Sequence, residues 1–177
     1  METSSNAQPV IEGTNVRQFL AQKGSIVIKE LREVGKLKAE YDHSIIVSTM
    51  ILGIVKGKTR KTSYGVRLSR TETESYSELS VLLDFDELPE LMDSFDFIGS
   101  LSVSLKSKQC DYTEVVYSTK DDAQFGFYQT NQQDQQAFIK ISPHGDTTFL
   151  DVGHFVKLKT LFLNAQEHLI TRGASIE

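Results

Sequence analysis

The stretch LLDFDELPELMDSF, residues 82–95, returns in outline as FLDVGHFVKLKTLF, residues 149–162. Leu83, Asp84, Leu88, Leu91 and Phe95 recur 67 positions later as Leu150, Asp151, Phe155, Leu158 and Phe162. Each copy ends an apolar run on a carboxylate and then places apolar residues at i, i+3 and i+7, the spacing of one helix face. Asp84 followed by Glu87 makes an Asp-x-x-Glu capping pair, because a carboxylate at a helix start accepts from exposed backbone N–H groups. Pro89 falls early enough in that helix to be tolerated. Upstream lie Tyr64-Gly65-Val66-Arg67 and Phe125-Gly126-Phe127-Tyr128, with the two glycines 61 apart, so the second polar insert is six residues longer. A repeat of this size predicts two related units, each of about four strands followed by a helix.

Working outward, residues 1–14 read as a disordered tail, 15–99 as the first unit and 100–177 as the second. Val16–Leu20 reads as a short helical turn. Gly24–Lys29 and Gly35–Tyr41 read as two strands, and Ser44–Val55, rich in β-branched residues, as a long buried one. Gly57–Thr62 reads as a polar turn and Ser63–Ser69 as the returning strand. In it Tyr64, Val66 and Leu68 alternate with Gly65, Arg67 and Ser69, so Tyr64 and Arg67 belong on opposite faces. Arg70–Ser75 reads as a turn before a strand at Tyr76–Leu83. A helix follows, ending near Gly99. Strands are then expected at Ser100–Leu105, Asp111–Ser118, Gln124–Gln129, Gln136–Ile141 and Thr147–Leu150, and a helix from Gly153 to Thr171, stopped by Gly173. The fold class is α+β: two units of about four antiparallel strands and a helix, packed around a pseudo-twofold axis.

A chain of 177 residues with one cysteine, Cys110, has no internal disulfide and builds its core by burial alone. The N-terminus lacks the basic and apolar regions of a secretory signal, and the longest apolar-leaning run, Ile45–Val55, is far shorter than a bilayer span. The expectation is a soluble, cytoplasmic protein with no membrane partner. Net charge is −5, yet residues 43–71 hold six cations and no acid, while 72–96 hold nine acids and no base. Either these segments attract each other, or the basic one faces an anionic partner.

The Lys56-Gly57-Lys58 tripeptide, the Tyr64-Gly65-Val66-Arg67-Leu68 strand and the junctions at Leu83-Asp84 and Leu150-Asp151 resemble elements of the whirly and Pur families and their relatives among single-stranded DNA-binding coactivators. The resemblance implies a curved four-stranded sheet followed by a helix, twice per chain, across residues 24–171. It also implies binding of single-stranded nucleic acid. The chain departs from those families in its acidic net charge and its lack of tryptophan.

Phosphates require cations, and bases require flat side chains on which to stack. Lys56, Lys58, Arg60, Lys61, Arg67 and Arg70 answer the first need, and Tyr128 is the chosen aromatic among Tyr64, Tyr76, Phe127 and Tyr128. His144, Asp146, Asp151 and His154 have metal-like spacing, but turn and capping roles explain them, and no metal or other cofactor is assigned. Nucleophile elbow, phosphate-binding glycine loop and His-Glu-x-x-His are all missing, and Cys110 with a histidine makes no recognisable pair. The protein is expected to be a non-catalytic binder of single-stranded DNA or RNA. The alternative is a protein-interaction or structural module, with a homodimer seam through helix 153–171 suggested by Leu161-Phe162-Leu163.

Overall fold

The computed structural model describes residues 14–41, 43–71, 79–131, 134–142 and 147–175. A short helix, α1 (Asn15–Leu20), precedes a first antiparallel sheet in the order β1 (Ile26–Lys38), β2 (Ser44–Lys56), β3 (Thr59–Thr71), β4 (Leu79–Asp84). A single 3-10 turn, Phe85–Glu87, leads into α2 (Leu88–Leu105). The second unit repeats the plan with β5 (Tyr112–Ser118), β6 (Gln124–Thr130), β7 (Gln135–Lys140), β8 (Thr147–Leu150) and α3 (His154–Thr171). The α+β layout of two four-stranded antiparallel units, each followed by a helix, is therefore the observed one. Of the tail expected at 1–14, residues 1–13 lie outside the described residues, while Thr14 is buried and caps α1 by accepting from Arg17 N; the 72–78 part of the second turn and strand and the Pro143–Asp146 turn also lie outside them.

The two long helices each cross to the other unit's sheet, whereas α1 stays on the first. α3 packs on β1, β2 and β3, and α2 packs on β5 and β6, while the two helices also touch each other. Phe95 of α2 sits at the centre: its ring lies 5.3 Å from Phe125, 5.5 Å from Phe155 and 5.9 Å from Phe162. Phe95 and Phe162 are equivalent positions of the sequence repeat, and their rings meet where the two helices touch. All four apolar helix positions on each side, Leu88, Leu91, Phe95, Ile98 and their mates Phe155, Leu158, Phe162, Ala165, together with Leu83 and Leu150, are buried in one core.

Three details differ from the sequence expectation. The strands expected at Gly24–Lys29 and Gly35–Tyr41 merge into one, β1, which starts at Ile26, stops at Lys38 and has an irregularity between Glu33 and Gly35; the charged segment between them stays extended because β1 is an edge strand with water on one side. Ser100–Leu105 is not a strand but the last turns of α2. The Leu-x-Val-x-Leu alternation there imitates a strand, yet Ile98 and Ser102 continue the buried helical stripe and Val103 points outward, 77% exposed. The hydroxyls of Ser100, Ser102 and Ser104 are absorbed by carbonyls one turn back, at 2.9, 2.7 and 3.1 Å. The third concerns the repeat itself. Tyr64-Gly65 lies on the third strand of its unit and Phe125-Gly126 on the second strand of the other, so these two elements are not topological equivalents. Among the smaller shifts, the expected Gly57–Thr62 turn contracts to Gly57-Lys58, with Lys56 already paired to Thr59 and Gly57 at φ 60°.

Phe95→Ala should cost about 3–5 kcal/mol, because it empties the point where both helices and the second sheet meet. Gly99→Ala should instead stabilise by roughly 0.5–1 kcal/mol, since an added methyl meets nothing within 4 Å and the helix interior loses its most flexible residue. Urea unfolding of both variants against the parent reads the two signs.

Candidate functional site

Strand β3 distributes the basic residues over both faces of the first sheet. Arg60, Thr62, Tyr64, Val66, Leu68 and Arg70 lie on the face that α3 covers, and Lys61, Ser63, Gly65 and Arg67 on the opposite face, where α1 packs beside Gly65. Tyr64 and Arg67 are thus on opposite faces, as expected. Lys56, Lys58, Arg60 and Lys61 are exposed around the β2–β3 tip and make no ion pair among the described residues. Arg70 is different. It is 2% exposed, and its Nη1 reaches Thr148 Oγ1 at 3.5 Å, so it ties β3 to β8 and offers nothing to a ligand. Arg67 is half-buried and lines a cleft of about 300 Å³ with Arg17, Lys29, Leu31 and Met50. The seven residues picked from the sequence therefore do not form one cluster.

Of the four aromatics weighed, Phe127 is fully buried, Tyr64 donates its hydroxyl to Arg172 O at 3.1 Å, and Tyr76 lies outside the described residues. Tyr128 alone reaches a free sheet face, and it has company that the sequence did not reveal. On the outer face of the second sheet Tyr112, Glu114 and Val116 of β5 stand beside Tyr128 and Gly126 of β6, then Gln136, Phe138 and Lys140 of β7 and Phe149 of β8. Tyr112 and Tyr128 are diagonal neighbours whose rings stack at 6.0 Å and 22°. Lys140 Nζ lies 5.6 Å from the Phe138 ring centre. Phe138 is itself buried because it lies over Gly126, where an added Cβ would come within 3.2 Å of its ring and 2.1 Å of Val115 O. Tyr112 and Val116 stay 57% and 42% exposed, since the helices pack on the opposite face. At the rim, Glu40 N donates to Phe149 O at 3.1 Å, joining the β1–β2 turn to the edge of β8.

The acidic segment has other work. Asp84 Oδ2 and Oδ1 accept from the backbone N–H groups of Asn15 and Val16 at 2.8 and 3.0 Å. The Asp84–Glu87 capping box forms as expected, and Glu87 also accepts from Lys120 N at 2.7 Å. Asp121 accepts from Leu82 N at 2.9 Å and holds Arg17. Lys120 and Lys159 pair with Asp86 and Asp96. Burial pushes the Glu87 carboxyl above its ordinary value despite its N–H donors. Burial also pushes Tyr117 up to about 12, helped by Glu90 and Glu87. Asp151, the repeat mate of Asp84, is exposed and only caps Gly153 N at 2.7 Å.

Among the described residues no group of three or more His, Cys, Asp and Glu side chains is placed to hold a metal, and no helix is long and apolar enough to cross a membrane. His144 and Asp146 lie outside the described residues. Cys110 Sγ lies 3.0 Å from Thr113 Oγ1 with no histidine in that pairing.

Asp84→Ala should strand two backbone donors under α1 and cost about 2 kcal/mol, with faster tryptic cleavage after Arg17 as the local readout. Below pH 10 the Tyr117 phenol is neutral in both folded and unfolded chains; from there the unfolded chain ionises first, and the folded one holds its proton to about 12. Stability should therefore fall as pH rises across that interval, and Tyr117→Phe should flatten the fall in urea titrations. No family model matches the chain, and neither does any curated protein or solved structure.

Proposed function

We propose that this protein is a non-catalytic binder of single-stranded nucleic acid, with bases resting on the outer face of the second sheet. The carrying observation is the stacked Tyr112–Tyr128 pair on a sheet face that no helix covers among the described residues, with Lys140 on the same face. Flat side chains on such a face accept any base, and a nearby cation meets its phosphate. The β2–β3 tip, with Lys56, Lys58, Arg60 and Lys61 exposed, supplies a separate electrostatic arm. The two lie apart, because the tip is at the far end of β2 and β3 from the edge that adjoins β8. The whirly- and Pur-like reading of the chain has the same support: strand-rich units closed by helices, twice in one chain, with stacking residues on a sheet.

The competing reading is a protein-interaction module. It draws on α3, where Val156, Leu163 and Ile170 recur every seven residues and are 71%, 46% and 53% exposed, a stripe suited to a partner helix or a homodimer seam.

Fluorescence anisotropy with labelled mixed-sequence single strands and the matching duplex, at several salt concentrations, separates the readings. The expected result is salt-dependent binding that favours the single strand. Tyr128→Ala should weaken it about tenfold or more and leave the salt slope alone. Lys58→Glu with Arg60→Glu should lower the slope of log K against log salt by about 1.4, two single-strand phosphate contacts' worth. No binding at low salt, or binding indifferent to both changes, rejects the proposal and favours a protein partner.

A further inference from the structure

The edge strand β1 carries a self-complementary charge pattern. Lys29, Glu30, Leu31, Arg32 and Glu33 are consecutive and all exposed, and β1, paired with β2 along one edge, has no neighbouring strand along its other edge among the described residues. This part of β1 is regular; the irregularity begins only after Glu33. Alternating charge normally guards an edge against pairing, but the guard fails when the pattern matches itself.

We propose that two copies of this chain pair through β1, antiparallel about Leu31, joining their first sheets into one eight-stranded sheet. A twofold axis perpendicular to a sheet keeps every side chain on its own face, so opposite residues must be of like parity along the strand. Registers centred on Lys29, Glu30, Arg32 or Glu33 set a like charge against itself. The register centred on Leu31 sets Lys29 opposite Glu33 on the outer face and Glu30 opposite Arg32 on the helix side. Each contact occurs twice by symmetry, and Leu31, 44% exposed, meets its own copy. Glu30 is already held extended by the Arg172 guanidinium, at 2.6 and 3.0 Å, which fixes the carboxylate that the second copy's arginine would meet. Main-chain hydrogen bonds between the two edges supply the affinity, and the charge order supplies the register.

The test is a charge swap on the full chain, read by analytical ultracentrifugation over a concentration series, with circular dichroism confirming that each variant is folded. The parent is expected to dimerise. Lys29→Glu and Glu33→Lys alone each set like charges opposite and should weaken dimerisation roughly tenfold or more. The double variant K29E/E33K should dimerise again. Mixing the two single variants should give a heterodimer, because both 29–33 contacts are then of unlike charge. A monomeric parent overturns the proposal. So do single variants that dimerise as tightly as the parent, which would place the seam on the α3 stripe, and a mixture of singles that stays monomeric.

Discussion

The exchange of helices between the two sheets is the constraint on which the rest of the fold depends. A four-stranded sheet with one apolar face is stable only when that face is covered. Here Ile45, Val47, Val66 and Leu68 of the first sheet lie under α3, which belongs to the second unit, while Phe125 of the second sheet lies against Phe95 of α2. Gly35 lets the exchange happen at close range: an added Cβ would lie 2.6 Å from Leu161 Cδ2. Tyr64 and Thr49 reach up from the first sheet to Arg172 O and His168 Nδ1, both at 3.1 Å, so the contact is polar at its rim and apolar at its centre. The two units are repeats in sequence but one core in space.

The carboxylates of the β4–α2 corner, with Asp121 of the β5–β6 turn, do the second job, fixing what surrounds that core. Backbone N–H groups from α1, β4 and the β5–β6 turn all end on Asp84, Glu87 or Asp121. A buried carboxylate is tolerable only with such donors, and three separate segments are held in place by supplying them. The described acids between Asp84 and Asp96 that are paired are spent on α1, Lys120 and Lys159, leaving Lys56, Lys58, Arg60 and Lys61 facing water.

Much of the helical half of the fold is legible in the sequence. Leu88, Leu91 and Phe95 and their mates 67 residues on all land in the core, because helical periodicity is local and one face must be buried. The strand half is harder. Period two holds in every strand, so Tyr64-Gly65 and Phe125-Gly126 look alike while occupying different strands. Leu101, Val103 and Leu105 mimic a strand, and only the burial of Ile98 and Ser102 reveals the helix. The stacking face was the least readable. β5 alternates Tyr112, Glu114 and Val116 with Thr113, Val115 and Tyr117, so both faces carry apolar groups, and choosing the outward one requires knowing where α2 packs. Tyr128 could be singled out, but Tyr112 and Lys140 become its neighbours only through register set by turns far from them. Arg70 was picked for its charge, and nothing in its local sequence marks the burial against Thr148.

The divergence of the two units explains why the open face is on the second. In the first sheet, Gly65 leaves a hollow on the outer side, and α1 fills it: an added Cβ would lie 2.7 Å from Val16 Cγ2. Met50, Leu52 and Leu82 then form a small separate cluster under α1, anchored by Asp84. In the second sheet, Gly126 leaves a comparable hollow, but Phe138 of the adjacent strand lies over it, and the Asp151 side chain caps Gly153 N instead of an incoming helix among the described residues. The sheet therefore seals its own gap and leaves Tyr112, Tyr128 and Val116 at the surface without a covering helix. The second unit thus keeps one apolar, aromatic face uncovered among the described residues, whereas its twin uses the same side to bury its N-terminal helix.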